Sequence, residues 1–163
     1  MAGGAVAQRR GAGVVDDAVE VLTVEVCPTA VIAAVTDWRT FPSLWPRLLG
    51  EVWASLRDAG VTSGCPNVML YLDDRPSVEV GVQLPAGVQL AGRAVRSQLP
   101  SGRVARIVHR GSYDGLGASH AGVIDWCASN GLRLAGPRWE VYGPHRDEPE
   151  LLETEISYLL DVR

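Results

Sequence analysis

Four side chains at related places in the chain carry the chemistry this sequence offers: Tyr71 with Tyr142, and Glu79 with Glu155. Ring faces are negative and attract a cation or stack a flat apolar molecule, and a partly desolvated carboxylate adds the full charge that selects positive ligands. Together they predict a cleft for bulky aromatic compounds. Strand alternation groups these residues. In 77–84, Val78, Val80, Val82 and Leu84 form one apolar face that belongs under a helix, and Glu79 faces the other way. In 67–73, Val68 and Leu70 oppose Met69 and Tyr71; in 137–143, Trp139 and Val141 oppose Arg138, Glu140 and Tyr142; in 152–160, Ile156 and Tyr158 oppose Glu155 and Ser157. Both tyrosines and both glutamates are therefore expected on the faces away from the helices. The competing reading is a solvated sheet face with wet hydroxyls.

The elements that must position them come from an internal repeat. Gly60 and Gly131 differ by 131 − 60 = 71, and the same offset pairs Val52 with Val123, Leu56 with Cys127, Val61 with Leu132, Pro66 with Pro137 and Tyr71 with Tyr142 without a gap. It also aligns Trp38 with His109. Glu79 and Glu155 differ by 155 − 79 = 76, five more than the repeat, which a longer second hairpin absorbs.

Each half reads strand, strand, helix, strand, strand. Residues 19–26 and 30–38 suggest a strand pair turning at Cys27-Pro28, and Trp45, Leu48, Leu49, Val52 and Leu56 make the stripe of an amphipathic helix stopped at Gly60. The second half repeats this with strands near 93–99 and 103–110, a helix near 115–129, and strands 137–143 and 152–160. The fold class is α+β: antiparallel strands with two helices, pseudo-two-fold symmetric, with halves of about 18–89 and 90–163 forming one domain. Residues 1–17, rich in Gly and Ala, read as a mobile tail.

Composition bounds the partners. Fifteen Lys plus Arg against nineteen Asp plus Glu give −4, so the positive field that nucleic acid demands is absent. No apolar run long enough for a bilayer occurs. Three scattered cysteines fit a reducing cytoplasm, and isolated histidines give no metal spacing, so neither metal nor cofactor is expected. Trp38 is a candidate wall at the cleft mouth, Tyr113 lines the cleft or caps a turn, and Tyr158 is placed to orient a ligand oxygen. Trp139 and His109 complete the candidate ligand contacts, although Trp139 falls on the helix-facing side of its strand. Trp45 and Trp53 read as core.

The stretch His109-Arg110-Gly111-Ser112-Tyr113, Trp126 at a helix end, Gly136-Pro137-Arg138-Trp139-Glu140-Val141-Tyr142 and Thr154-Glu155-Ile156 resembles the GyrI-like small-molecule-binding domain, also called the bacterial transcription-activator effector-binding domain. The resemblance is strongest over 103–160. In the first half, Thr40-Phe41-Pro42 stands where Gly111-Ser112-Tyr113 stands in the second. The resemblance implies duplicated βαββ (SHS2-like) halves and a central cleft for diverse, often cationic aromatic drugs. It also implies a buried glutamate on the last strand, matched by Glu155. Seventeen residues before position 18 cannot make a helix-turn-helix module, so a stand-alone member is expected.

Three functions follow. The first is a binder of hydrophobic, frequently cationic xenobiotics, giving multidrug or toxin protection with Glu155 as the charge. The second is a hydrolase of cyclopropane-bearing DNA-alkylating toxins, in which Glu155, its pKa raised by desolvation, directs a water. The third is a gyrase-type protein-interaction module docking through the acidic loop of Asp147, Glu148, Glu150 and Glu153.

Overall fold

The structure, a computed structural model, describes residues 18–162. The expected tail over 1–17 lies outside the described residues. The elements run β1 (Glu20–Val24), β2 (Cys27–Val35), α1 (Phe41–Asp58), β3 (Asn67–Tyr71), β4 (Ser77–Gln83), β5 (Val95–Leu99), β6 (Gly102–Arg110), α2 (Leu116–Ser129), β7 (Leu134–Tyr142) and β8 (Glu153–Leu160). The class is α+β, with two helices on an antiparallel eight-stranded sheet ordered β1-β6-β8-β7-β3-β4-β2-β5.

The repeat explains that order. Exchanging each strand for its counterpart, β1 with β5, β2 with β6, β3 with β7 and β4 with β8, returns the same order read backwards. The two-fold relation therefore passes between β3 and β7. It also duplicates the helix ends: the Val61 N–H donates to the Leu56 carbonyl at 2.8 Å, and the Leu132 N–H to the Cys127 carbonyl at 2.9 Å. Gly60 (φ 84°) and Gly131 (φ 68°) supply the left-handed residue such a terminus needs.

Register fixes the dyad to one residue pair. Met69 lies opposite Glu140, flanked by Leu70 opposite Trp139 and Val68 opposite Val141. Since 140 − 69 = 71, Met69 and Glu140 are repeat counterparts facing each other on the axis.

Two expectations about the strands are corrected. Residues 19–26 and 30–38 do not form a hairpin: β1 pairs with β6 of the other half, and β2 pairs with β4 and β5. Cys27-Pro28 lies inside β2, where Pro28 needs no N–H towards β4 because that ladder begins at Thr29, while the Pro28 carbonyl accepts the Leu84 N–H at 2.9 Å. The edge strands are thus exchanged between halves.

Faces are also reassigned. Tyr71 lies opposite Val78 and Met69 opposite Val80, so both share the helix-covered face. Under α1, Val78, Val80 and Val82 pack with Leu48, Val52 and Leu56. Under α2, Ala105, Ile107, Ile156 and Tyr158 pack with Val123 and Cys127. On the far face, Val68, Leu70 and Trp139 meet Leu99 from one sheet edge and Leu22 and Val104 from the other, so the sheet curls away from its helices.

The β3–β4 turn depends on one carboxylate. Asp73 Oδ1 accepts from the Ser77 N–H at 2.8 Å and the Arg75 N–H at 3.0 Å, and Oδ2 accepts from the Ser77 hydroxyl at 2.9 Å. The backbone and side-chain hydrogen bonds from Ser77 hold its pKa down at about 2, below the ordinary 3.8. A depressed carboxylate contributes stability above its unfolded pKa and loses that contribution as pH falls through the folded one. Asp73→Ala is therefore expected to lower Tm at neutral pH, with the gap from wild type closing as the pH approaches 2; thermal melts across that range measure it, and a gap independent of pH would contradict the assignment.

Candidate functional site

The face shared by α1, α2 and the central strand pair contains a cleft of about 630 Å³. Its floor is β3 and β7. Its walls include the N-terminal turns of the two helices, which contribute Phe41, Trp45 and Leu49 from α1 and Leu116 and His120 from α2.

The lining follows the repeat. At the 71-residue offset, Trp45 on α1 matches Leu116 on α2, Leu49 matches His120, Asn67 matches Arg138, Met69 matches Glu140, and Tyr71 matches Tyr142, and all ten border the cleft. Polarity breaks the symmetry. At three of these pairs the first half offers Leu49, Asn67 and Met69 where the second offers His120, Arg138 and Glu140.

Glu140 is the acid of this cleft, at 3% exposure. The Tyr142 hydroxyl donates to its Oε2 at 2.9 Å. Across the axis, the Tyr71 and Tyr142 hydroxyls each lie 3.7 Å from Met69 Sδ, so the symmetry-related phenols converge over the Met69–Glu140 pair. Burial opposes the charge on Glu140, yet hydrogen bonding with His120, Tyr71 and Tyr142 and attraction to His120 outweigh it and hold the carboxyl below its ordinary 4.5. Burial, reinforced by that neighbouring charge, pushes both phenols far above their usual range. They remain donors.

His120 and Tyr158 back the acid. Burial, the largest influence, pushes the Tyr158 phenol up to about 12, and its hydroxyl lies 2.7 Å from His120 Nδ1. The other ring nitrogen, Nε2, stands 3.8 Å from Glu140 Oε2. Arg138 lies 5.6 Å from the centroid of the Tyr71 ring and pairs with Asp74 Oδ1 at 2.8 Å.

Five of the nine sequence candidates meet here: Tyr71, Tyr142, Tyr113, Tyr158 and Trp38. Tyr113 meets Tyr142 edge-on at 5.6 Å, and Trp38 tilts over Tyr71 at 5.7 Å while its indole N–H donates to the Asp74 carbonyl at 3.2 Å. Four candidates lie elsewhere. Glu155, expected at the centre, is opposite Val141 on the far face, where it pairs with Arg106 at 3.3 Å and borders a separate groove. Glu79 is opposite Leu70, and Trp139 is buried on that same face. The physical reason is period two: odd-numbered 139 and 141 share one face of β7, and cross-strand pairing puts 155 with them.

His109 faces the helices but is buried behind the cleft. Its Nε2–H donates to the Ser112 carbonyl at 2.8 Å, and Nδ1 accepts from the Ser119 hydroxyl at 2.7 Å, so it staples β6 to the start of α2. A Cβ on Gly115 would stand 2.8 Å from the ring, which explains glycine there. Trp38, its repeat counterpart, points into the cleft instead. Glu140, Arg138, His120, Trp45 and Met69 were not among the sequence candidates. Their signal was in the repeat, because 140 is the counterpart of 69 and lies on the same side of its strand as Tyr142.

Among the described residues, no group of three or more His, Cys, Asp or Glu is arranged to hold a metal ion, and no helix is long and apolar enough to cross a membrane.

A family model described as GyrI-like small molecule binding domain matches residues 17–159. The chain belongs to that family. No curated protein sequence matches it. The EcmrR C-terminal domain is similar to this GyrI-like domain at a TM-score of 0.72 and 18% identity, over 90% of this chain and 98% of that one. The structure of SAV2435 bound to tetraphenylphosphonium matches at 0.63 and 13% identity, over 89% and 94%. A hydrolase encoded by lin2189 from Listeria innocua matches at 0.62 and 12% identity, over 88% and 91%. At these identities the likeness to the GyrI-like domain is one of fold.

Proposed function

We propose that this GyrI-like domain binds bulky aromatic small molecules bearing a positive charge, in the cleft between the two helices, with Glu140 as the counter-charge. One observation carries the reading: a buried carboxylate, held ionised by surrounding donors, at the floor of a ring-walled cavity large enough for a drug-sized molecule. Apolar contact supplies most of the binding energy, on the order of 25 cal/mol per Å² buried before association costs. A carboxylate already stripped of water supplies charge selection, since a cation entering beside it restores lost solvation. The similarity in fold to SAV2435, solved with tetraphenylphosphonium, supports this ligand class.

Hydrolysis through Glu155 required that carboxylate to sit among the rings of the cleft, and its position beside Arg106 on the far face removes that support. The acid facing the cleft is shifted downward instead, which favours charge recognition over proton donation.

Calorimetric titration with tetraphenylphosphonium is expected to give saturable binding at one site per chain, accompanied by a change in tryptophan emission that Trp38→Ala reduces. Heat that never saturates, or no heat, contradicts the proposal.

A further inference from the structure

Resting on that reading of the cleft, the charge-bearing wall defines the ligand further. At three repeat pairs a neutral side chain in the first half is matched by an ionisable one in the second, so a bound molecule meets unlike surroundings from the two halves. An apolar ring system fits against Trp38, Phe41 and Trp45, and the polar groups fit against α2 and β7.

Arg138 makes that second wall more than a single negative charge. It stands two residues before Glu140 on the same strand face, about 6.6 Å away along the strand. Its side chain is 14% exposed, its guanidinium lies over the Tyr71 ring, and its ion-pair partner Asp74 is 94% exposed at the tip of the β3–β4 turn. A pair with so exposed a carboxylate is screened and weak, so the partner is replaceable. The guanidinium presents five donors in a planar fork suited to a carboxylate or carbonyl. The first-half counterpart, Asn67, is neutral, and its Oδ1 already accepts from the Trp53 indole at 2.9 Å.

A simple cation gains from Glu140 and is opposed by Arg138. A molecule carrying both a cation and an acceptor gains from both. We propose that Arg138 is a specificity-determining residue, and that the ligands this cleft prefers are aromatic zwitterions or carbonyl-bearing cations whose acceptor displaces Asp74 from the Arg138 guanidinium.

A carboxy-rhodamine and its methyl ester test this, since they share ring system and cation and differ in the strength of the acceptor. Affinities of both are measured by fluorescence anisotropy for wild type, Arg138→Gln and Asp74→Asn. The acid-to-ester preference is expected to fall about tenfold in Arg138→Gln, the size of one charge-assisted contact, and to rise several-fold in Asp74→Asn, where the competing carboxylate is gone. Cooperative melting with Tm within about 3 °C of wild type in both variants reports an intact fold. A preference unchanged in both variants overturns the role of Arg138 while leaving cation binding in place. If wild type binds neither dye, the cation reading itself fails and this inference falls with it.

Discussion

Glu140→Gln is expected to weaken binding of tetraphenylphosphonium by roughly ten- to hundredfold, the range for losing one charge-assisted contact at a desolvated site. A neutral tetraphenyl analogue of the same size should lose less than about threefold, because ring contact area is untouched. The substitution keeps shape and lets the Tyr142 hydroxyl donate to an amide oxygen in place of Oε2. The donors that hold the Glu140 carboxyl down outweigh its burial at 3% exposure, so neutralising it removes some stability at neutral pH and Tm should fall modestly, with a cooperative transition retained. A folded protein with selectively poorer cation binding separates charge recognition from damage to the fold. Equal losses for the cation and its neutral analogue would mean that Glu140 does not read charge.

Gly81→Ala is expected to be severely destabilising. A Cβ on Gly81 would sit 1.8 Å from the Ala30 carbonyl oxygen, and both neighbours of β4 are fixed, β2 on one side and β3 on the other. No side-chain rotation relieves a clash with backbone, so one ladder must separate, at a cost of about 3 kcal/mol. For a chain of this size that lowers Tm by roughly 10 °C. Gly81 shares the far face with Glu79 rather than the face of Tyr71, so cation affinity measured well below the transition should stay near wild type. A Tm within about 2 °C of wild type would show that β2 and β4 are looser than their register implies.

The repeat makes most of the architecture legible in the sequence alone. Gly60 and Gly131 fixed both helix ends, and the same six-residue backbone bond closes each. The partners of the edge strands were hidden because alternation says which way a side chain points along its own strand and nothing about its neighbour. Alternation therefore suggests a hairpin of β1 and β2, whereas each pairs across the repeat boundary. The faces of β3 were ambiguous for a different reason: Val68 and Leu70 on one side and Met69 and Tyr71 on the other are all buried, so polarity could not choose between them. Only the register of Tyr71 against Val78 decides.

The central acid is hidden along a single strand for the same reason. Glu155 fits a pattern read along one strand, whereas Glu140 is central through a relation between halves: it is the counterpart of Met69, and the two meet on the dyad. Counting the offset inward from Tyr71 and Tyr142 reaches this pair directly. His109 and Trp38 mark the opposite limit, since identical positions in the repeat turned to different uses, one stapling β6 to α2 and the other walling the cleft.

The most direct measurement is a crystal of the protein grown with tetraphenylarsonium, whose arsenic gives an anomalous signal locating the cation without reference to its shape. One peak is expected per chain, within about 6 Å of the Tyr71 and Tyr142 rings and above the Glu140 carboxylate. A peak in the groove beside Glu155 on the far face would contradict the account.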